Sequence, residues 1–107
     1  MRGSVVTVVL PGDMGKPRPA LVLMDDALIT TSTRLVIVPF TSTIQDAPLV
    51  RVTILPSTAN GLKVTSQAMV DRITSLPREK VGRALGQLEA DAVDRVLGLV
   101  LMMIGAK

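Results

Sequence analysis

Histidine, cysteine, tryptophan and tyrosine are all absent from this chain, and phenylalanine occurs once, at Phe40. Without cysteine there can be no disulfide and no thiolate metal site, and nothing signals an oxidising compartment. Without histidine the usual general base and the commonest metal ligand are missing. Any chemistry must therefore be carried by Arg, Lys, Asp, Glu, Ser or Thr. The near-absence of rings also removes the ordinary platform for stacking nucleic-acid bases. Long apolar runs are missing too. Val5–Leu10 is short and is cut by Pro11-Gly12-Asp13, which does not suit a signal segment. Val96–Ile104 covers about half a membrane span. The expectation is a cytoplasmic protein with no membrane contact.

What remains is an aliphatic chain of 107 residues, 48% of them hydrophobic, enough for one domain spanning 1–107 with a modest core of Val, Leu, Ile, Ala and Met. Twelve basic side chains stand against nine acidic ones, a net charge of +3. Residues 1–88 hold ten of the basic and six of the acidic side chains, so the positive excess lies in the body of the domain. That balance is compatible with an anionic partner without requiring one.

β-Branched runs bounded by turn residues predict strands at Ser4–Leu10, Pro19–Met24, Arg34–Phe40, Leu49–Leu55, Gln67–Ile73 and, weakly, Val81–Leu88. Pro39 should fall at a strand end or a bulge. Residues 25–33 read as a turn with at most one helical turn, and Asn60-Gly61 as the tip of a turn over Pro56–Lys63. On the strand predicted over Gln67–Ile73, Gln67, Met69, Asp71 and Ile73 would share one face. Glu89–Ile104 is the one clear helix, opened by Glu89, Asp91 and Asp94 where the macrodipole favours negative charge, and closed by Gly105. Strands in succession with one terminal helix predict an α+β, mainly β fold: a small, strongly curved antiparallel sheet or SH3-like barrel with the helix packed against it. Leu99, Met102 and Met103 widen the helix's apolar stripe beyond one face, which suggests burial against a second subunit and hence a homodimer, although a central helix in a tight core would show the same pattern.

The residue with the strongest individual signal is Arg18, held between Pro17 and Pro19 where a polar loop meets a strand. Each ring fixes its own φ and biases the preceding residue to extended geometry, so the arginine leaves the backbone in a nearly set direction. Its planar fork suits phosphate oxygens, and it stays charged at any working pH. Thr41-Ser42-Thr43 follow Pro39-Phe40 at another strand end and supply hydroxyls, although such a cluster also serves simply as a turn that bonds its own backbone. Lys16, Arg51 and Lys63 are further cations that could meet phosphates, and loops 11–17, 41–48 and 56–66 are where bases would be read.

Lys16-Pro17-Arg18-Pro19-Ala20-Leu21-Val22, Val38-Pro39-Phe40-Thr41-Ser42-Thr43 and Ser66-Gln67-Ala68-Met69-Val70-Asp71-Arg72-Ile73 together resemble the MazF/PemK/Kid family of toxin–antitoxin endoribonucleases. The resemblance runs from about Gly3 to the terminal helix. It implies a CcdB/MazF-type fold and a homodimer that cuts single-stranded RNA at short sequences without metal and is neutralised by a cognate antitoxin. It also implies that Arg18 and Thr41 are catalytic and that Asp71 acts as acid, base or positioning group. Lys16, Ser42, Thr43, Arg51, Lys63 and Gln67 are the expected RNA contacts. The opening Gly3-Ser4-Val5-Val6 lacks the acid and the aromatic usual in the family, and Met69 stands where some members have arginine. Two other readings remain: a CcdB-like gyrase poison without nuclease activity, against which the non-aromatic end Met103-Ile104-Gly105-Ala106-Lys107 speaks, and a degenerate member that only binds RNA or antitoxin.

Overall fold

The structure is a computed structural model describing residues 1–106. Seven strands alternate with two helices: β1 Ser4–Val8, β2 Arg18–Val22, α1 Asp26–Ile29, β3 Arg34–Thr41, β4 Arg51–Ile54, β5 Ser66–Met69, β6 Thr74–Pro77, β7 Val81–Gln87 and α2 Ala90–Met103. All strand pairs are antiparallel, in the order β4-β5-β3-β2-β1-β7, with β6 also on β3. The expected curved antiparallel sheet with a C-terminal helix is what forms. Among the described residues no helix is long and apolar enough to cross a membrane.

β3 carries the curvature. One of its edges pairs with β2; the other pairs with β6 over Arg34–Ile37 and with β5 over Phe40–Thr41. Pro39, buried inside the strand, sits where that second edge passes from β6 to β5, a place where no ladder N–H is called for. The continuous strand expected over Gln67–Ile73 is therefore two pieces. β5 stops at Met69, Val70–Arg72 make a single 3₁₀ turn, and β6 begins at Thr74. The break follows from pairing: one straight strand could not track both halves of a bent β3. It also overturns the expected face, because all four residues of β5 are buried while Asp71 stands exposed on the turn.

The sheet buries both of its faces, which explains why its strands read as nearly continuous apolar runs. On one side Val5, Leu21, Val38 and Phe40 pack against Val93, Val96 and Val100 of α2. On the other, Val6, Val8, Ala20, Val22 and Ile37 close with Ile29, Leu35 and Leu76. α2 ends by a paired closure in which Ala106 N–H donates to Leu101 O and Gly105 N–H to Met102 O, satisfying its last carbonyls. Leu101, Met102, Met103 and Ile104 remain exposed at this end.

Glu89 does not spend its side chain on its own helix. Its carboxylate accepts from Ser57 Oγ at 2.7 Å and Asn60 Nδ2 at 3.1 Å. Asn60, expected at a turn tip, is instead fully buried. It donates to Leu55 O as well, and its Oδ1 accepts from the N–H groups of Ser57 and Leu62. The segment between β4 and β5 is thus folded around one asparagine and fastened to the start of α2.

Candidate functional site

Arg18 opens β2, opposite Val8 on β1. Its side chain turns into a cavity of about 530 Å³ walled by the β1–β2 loop, the Thr41–Thr43 stretch, residues 61–64 and β7. The guanidinium is held on three sides. Nε donates to Asp13 Oδ2 at 2.7 Å, Nη2 to Asp13 Oδ1 at 3.0 Å and Nη1 to Phe40 O at 3.3 Å. This is a bidentate fork on a carboxylate, stronger and more orienting than a single contact. Three of an arginine's five N–H groups are thereby used, leaving two free.

Asp13 reaches that position because the loop is wound from two turns, Asp13 N–H to Leu10 O and Lys16 N–H to Asp13 O. Gly12, Met14 and Gly15 all take positive φ there, which is why the loop is glycine-rich. The pair is the one ion pair among the described residues, and both partners are largely shielded, at 32% exposure for Arg18 and 18% for Asp13. Thr41 ends β3, half-buried; its Oγ1 accepts from Thr43 N–H at 3.1 Å, so the hydroxyl is fixed in place while its own proton stays free to donate. Because Phe40 O binds Arg18, the guanidinium and Thr41 are neighbours on one wall.

Arg83 lies across the cavity, and a bulge puts it there. Val6 opposes Ala84 and Val8 opposes Val81, so Gly82 and Arg83 together face the single residue Thr7. A Cβ at Gly82 would collide with Thr7 Oγ1 and crowd Thr7 O, so a larger residue there would force Thr7 to shift. Lys16, Arg18, Lys63 and Arg83 against Asp13 give the lining a net charge of 4 − 1 = +3. The rest of the chain then cancels, eight basic (12 − 4) against eight acidic (9 − 1). The whole formal excess of the protein surrounds this one hollow, the arrangement that focuses a positive field.

Of the residues expected from sequence, Arg18, Thr41, Ser42, Thr43, Lys16 and Lys63 come together here. Arg51, Gln67 and Asp71 do not line this cavity. Arg51 and Gln67 border a different hollow, beneath α2. Gln67 is buried, its Nε2 donating to Gln45 O at 2.9 Å and Thr53 Oγ1 at 3.2 Å while Oε1 accepts from Gln45 N–H at 3.0 Å. With those bonds made, it holds the 41–48 loop against β4. Sequence reasoning missed Asp13 and Arg83. Asp13 had a local signal, an acid five positions before the proline-flanked arginine in a glycine loop; Arg83 had none, since its aim depends on the bulge. Among the described residues no group of three or more His, Cys, Asp or Glu could hold a metal ion.

Comparison with known proteins places this geometry. Residues 1–103 match the family model described as the PemK-like, MazF-like toxin of type II toxin–antitoxin systems. A probable endoribonuclease MazF of Mycolicibacterium smegmatis is 40% identical over 97% of this chain and 98% of its own length. Among solved structures, a mycobacterial endoribonuclease in complex with its cognate antitoxin superposes with a TM-score of 0.84 at 22% identity, covering 100% of this chain and 96% of that one. A MazE–MazF crystal structure from Deinococcus radiodurans gives 0.80 at 27% identity, covering 99% and 96%.

Proposed function

Given that the chain belongs to the PemK-like, MazF-like toxins of type II toxin–antitoxin systems, we propose that it is an endoribonuclease that cuts single-stranded RNA by the substrate's own 2′-hydroxyl, without metal, and that a cognate antitoxin neutralises it. The observation that carries the reading is Arg18. Its fork is anchored by Asp13 on one side, and two N–H donors remain beside Thr41 in a hollow holding all the protein's excess positive charge.

The chemistry follows from these positions. The 2′-oxygen attacks the adjacent phosphorus as the bond to the 5′-oxygen breaks, giving a 2′,3′-cyclic phosphate and a 5′-hydroxyl end. Arg18 meets the charge that builds on the phosphoryl oxygens with donors already oriented, so little reorganisation is needed at the moment of reaction. It cannot serve as the base, because its pKa lies above ~12. Asp13, the one carboxylate in the lining, takes the 2′-hydroxyl proton on a remaining lone pair while keeping its fork on Arg18, and the leaving 5′-oxygen takes its proton from solvent. Thr41 donates its free proton to a phosphate oxygen and keeps the attack in line. Lys16, Lys63 and Arg83 hold neighbouring phosphates. With no aromatic but Phe40 lining the hollow, base choice falls to hydrogen bonds from Ser42, Thr43 and the 61–64 segment. The exposed apolar end of α2 supports a homodimer.

The test is incubation of the protein with mixed single-stranded RNA in EDTA, followed by mapping of the ends. Cyclic-phosphate and 5′-hydroxyl ends that disappear with Arg18→Ala are the expected result. No cleavage, or cleavage retained by that variant, overturns the reading.

A further inference from the structure

Residues 61–64, which wall the Arg18 hollow, are fixed through groups that take no part in the chemistry above. Asn60 is fully buried, and each of its polar side-chain atoms is engaged. Its Oδ1 accepts from the N–H groups of Ser57 and Leu62, both at 3.0 Å, and its Nδ2 donates to Leu55 O and Glu89 Oε1. Its own N–H donates to Ser57 Oγ, and that hydroxyl donates to Glu89 Oε2. The ring thus closes on one carboxylate. Glu89 stands at the N-cap of α2 but makes no side-chain bond to that helix. It has no cation for a partner either, since the one ion pair among the described residues is Arg18 with Asp13.

β7 supplies the second anchor. Gln87 N–H donates to Ala59 O at 2.8 Å. Gly61 takes a φ of +71°, and a Cβ on it would strike Leu85 O; a Cβ on Gly86 would strike Ala59 O. Two glycines therefore let this backbone lie directly against the strand that carries Arg83. Past Leu62 the bonding stops. Lys63 and Val64 are exposed and line the hollow, and among the described residues their N–H groups and Lys63 O have no hydrogen-bond partner.

We propose that Glu89 and Asn60 are positioning residues for base selection: their clasp holds the Lys63–Val64 backbone where it pairs with the Watson–Crick edge of one unstacked base of the bound strand, a ligand whose being RNA rests on the nuclease reading. Such an edge offers neighbouring donors and acceptors, and free backbone N–H and C=O groups match it. They discriminate only if they are held still, because fixed polar groups are left unpaired by the wrong base. No ring competes for this task, since Phe40 is buried. The lysine side chain of the same segment meets phosphate, which carries no sequence information.

The test offers the full chain a single-stranded RNA library for cleavage. The same library with 2′-fluoro sugars, which lack the attacking hydroxyl, is offered for binding. Glu89→Ala lowers the preference at one position of the site about tenfold in both assays, while the other positions keep theirs and kcat on the preferred sequence changes less than about threefold. Glu89→Gln, which keeps an acceptor for Asn60 and a partner for Ser57, restores the preference. Ser57→Ala, which cuts one of the two ties, shifts it in the same direction by a smaller factor. Lys63→Ala weakens binding to all sequences alike, because the backbone stays in place. No base preference in the unmodified protein, an unchanged preference in both Glu89→Ala and Ser57→Ala, an equal loss at every position, or failure of Glu89→Gln to restore it overturns the proposal. A library left uncut while the 2′-fluoro library shows these shifts strikes the nuclease reading alone. Cleavage whose preference ignores the variants strikes this one alone.

Discussion

Two arginines on the two sides of β5 live under opposite conditions. Arg18 has its Nε on Asp13 at 2.7 Å and its fork completed by a second carboxylate oxygen; Arg51 has its Nε buried with nothing to bind. The first is oriented by the protein and turns its remaining donors outward, as a group that must meet charge appearing on a substrate should be. The second has no acidic partner among the described residues. The Arg18 hollow is lined by four cations and one acid, and the Arg51 groove by two cations, one acid and an aliphatic floor. Charge density and fixed donors suit a phosphate chain, and the groove beneath α2 has neither.

Substitutions that should break the contrast differ widely in size. Arg18→Ala should lower cleavage about 10²–10³-fold, the usual effect of deleting one preorganised donor, with the fold intact by circular dichroism. Asp13→Asn removes both the proposed base and the anchor of the fork, and should cost about 10²-fold or more in kcat, with the pH–rate profile losing its acidic limb. A profile unchanged in shape would reduce Asp13 to an orienting role. Asn60→Ala should lower stability by about 1–3 kcal/mol in urea unfolding, because it strands the buried Leu62 N–H and the partly buried groups of Leu55 and Ser57. Since residues 61–64 wall the Arg18 hollow, that variant should also raise KM for RNA.

Arg83→Gln should act through charge alone. Affinity for a non-cleavable RNA should drop several-fold, and the slope of log K against log salt should become shallower by about 0.7, the share of one single-strand phosphate. An unaltered slope would remove Arg83 from the RNA path. The smallest effect is at Glu89, whose pKa is held below its ordinary value of 4.5 by the Ser57 hydroxyl, its own backbone N–H and Asn60. A lowered folded pKa contributes stability that is present above the unfolded value and lost as pH falls through the folded one. Glu89→Gln should therefore flatten the fall in urea midpoint below about pH 4.5, with little change in either hollow.

Much of this was legible in the residues. The strands at Ser4–Val8, Arg18–Val22 and Arg34–Thr41, the terminal helix and the glycine closing it all stand where aliphatic periodicity and turn chemistry put them. Arg18 was legible because two prolines are a local constraint, and Thr41 because it ends a strand beside one. Asp71 leaves the predicted strand because the chain breaks there into a 3₁₀ turn, whereas Gln67 and Arg51 stay on strands and line the other hollow. Neighbours on a strand face opposite ways, and which face meets which hollow depends on the partner strand. Arg83 was invisible, since a bulge is a mismatch between two strands and neither carries the information alone.

The chain's composition and local order thus decided that its core is aliphatic, that its chemistry excludes imidazole and thiol, and that Arg18 is stiffly presented. Those properties belong to single residues and their neighbours. Tertiary structure alone decided that Asp13 grips Arg18, that the bend of β3 splits one predicted strand into β5 and β6, and that Arg51 faces the hollow beneath α2 and not the Arg18 cavity. Each of these depends on pairing between distant segments, where register and curvature, rather than propensity, choose which side chains meet.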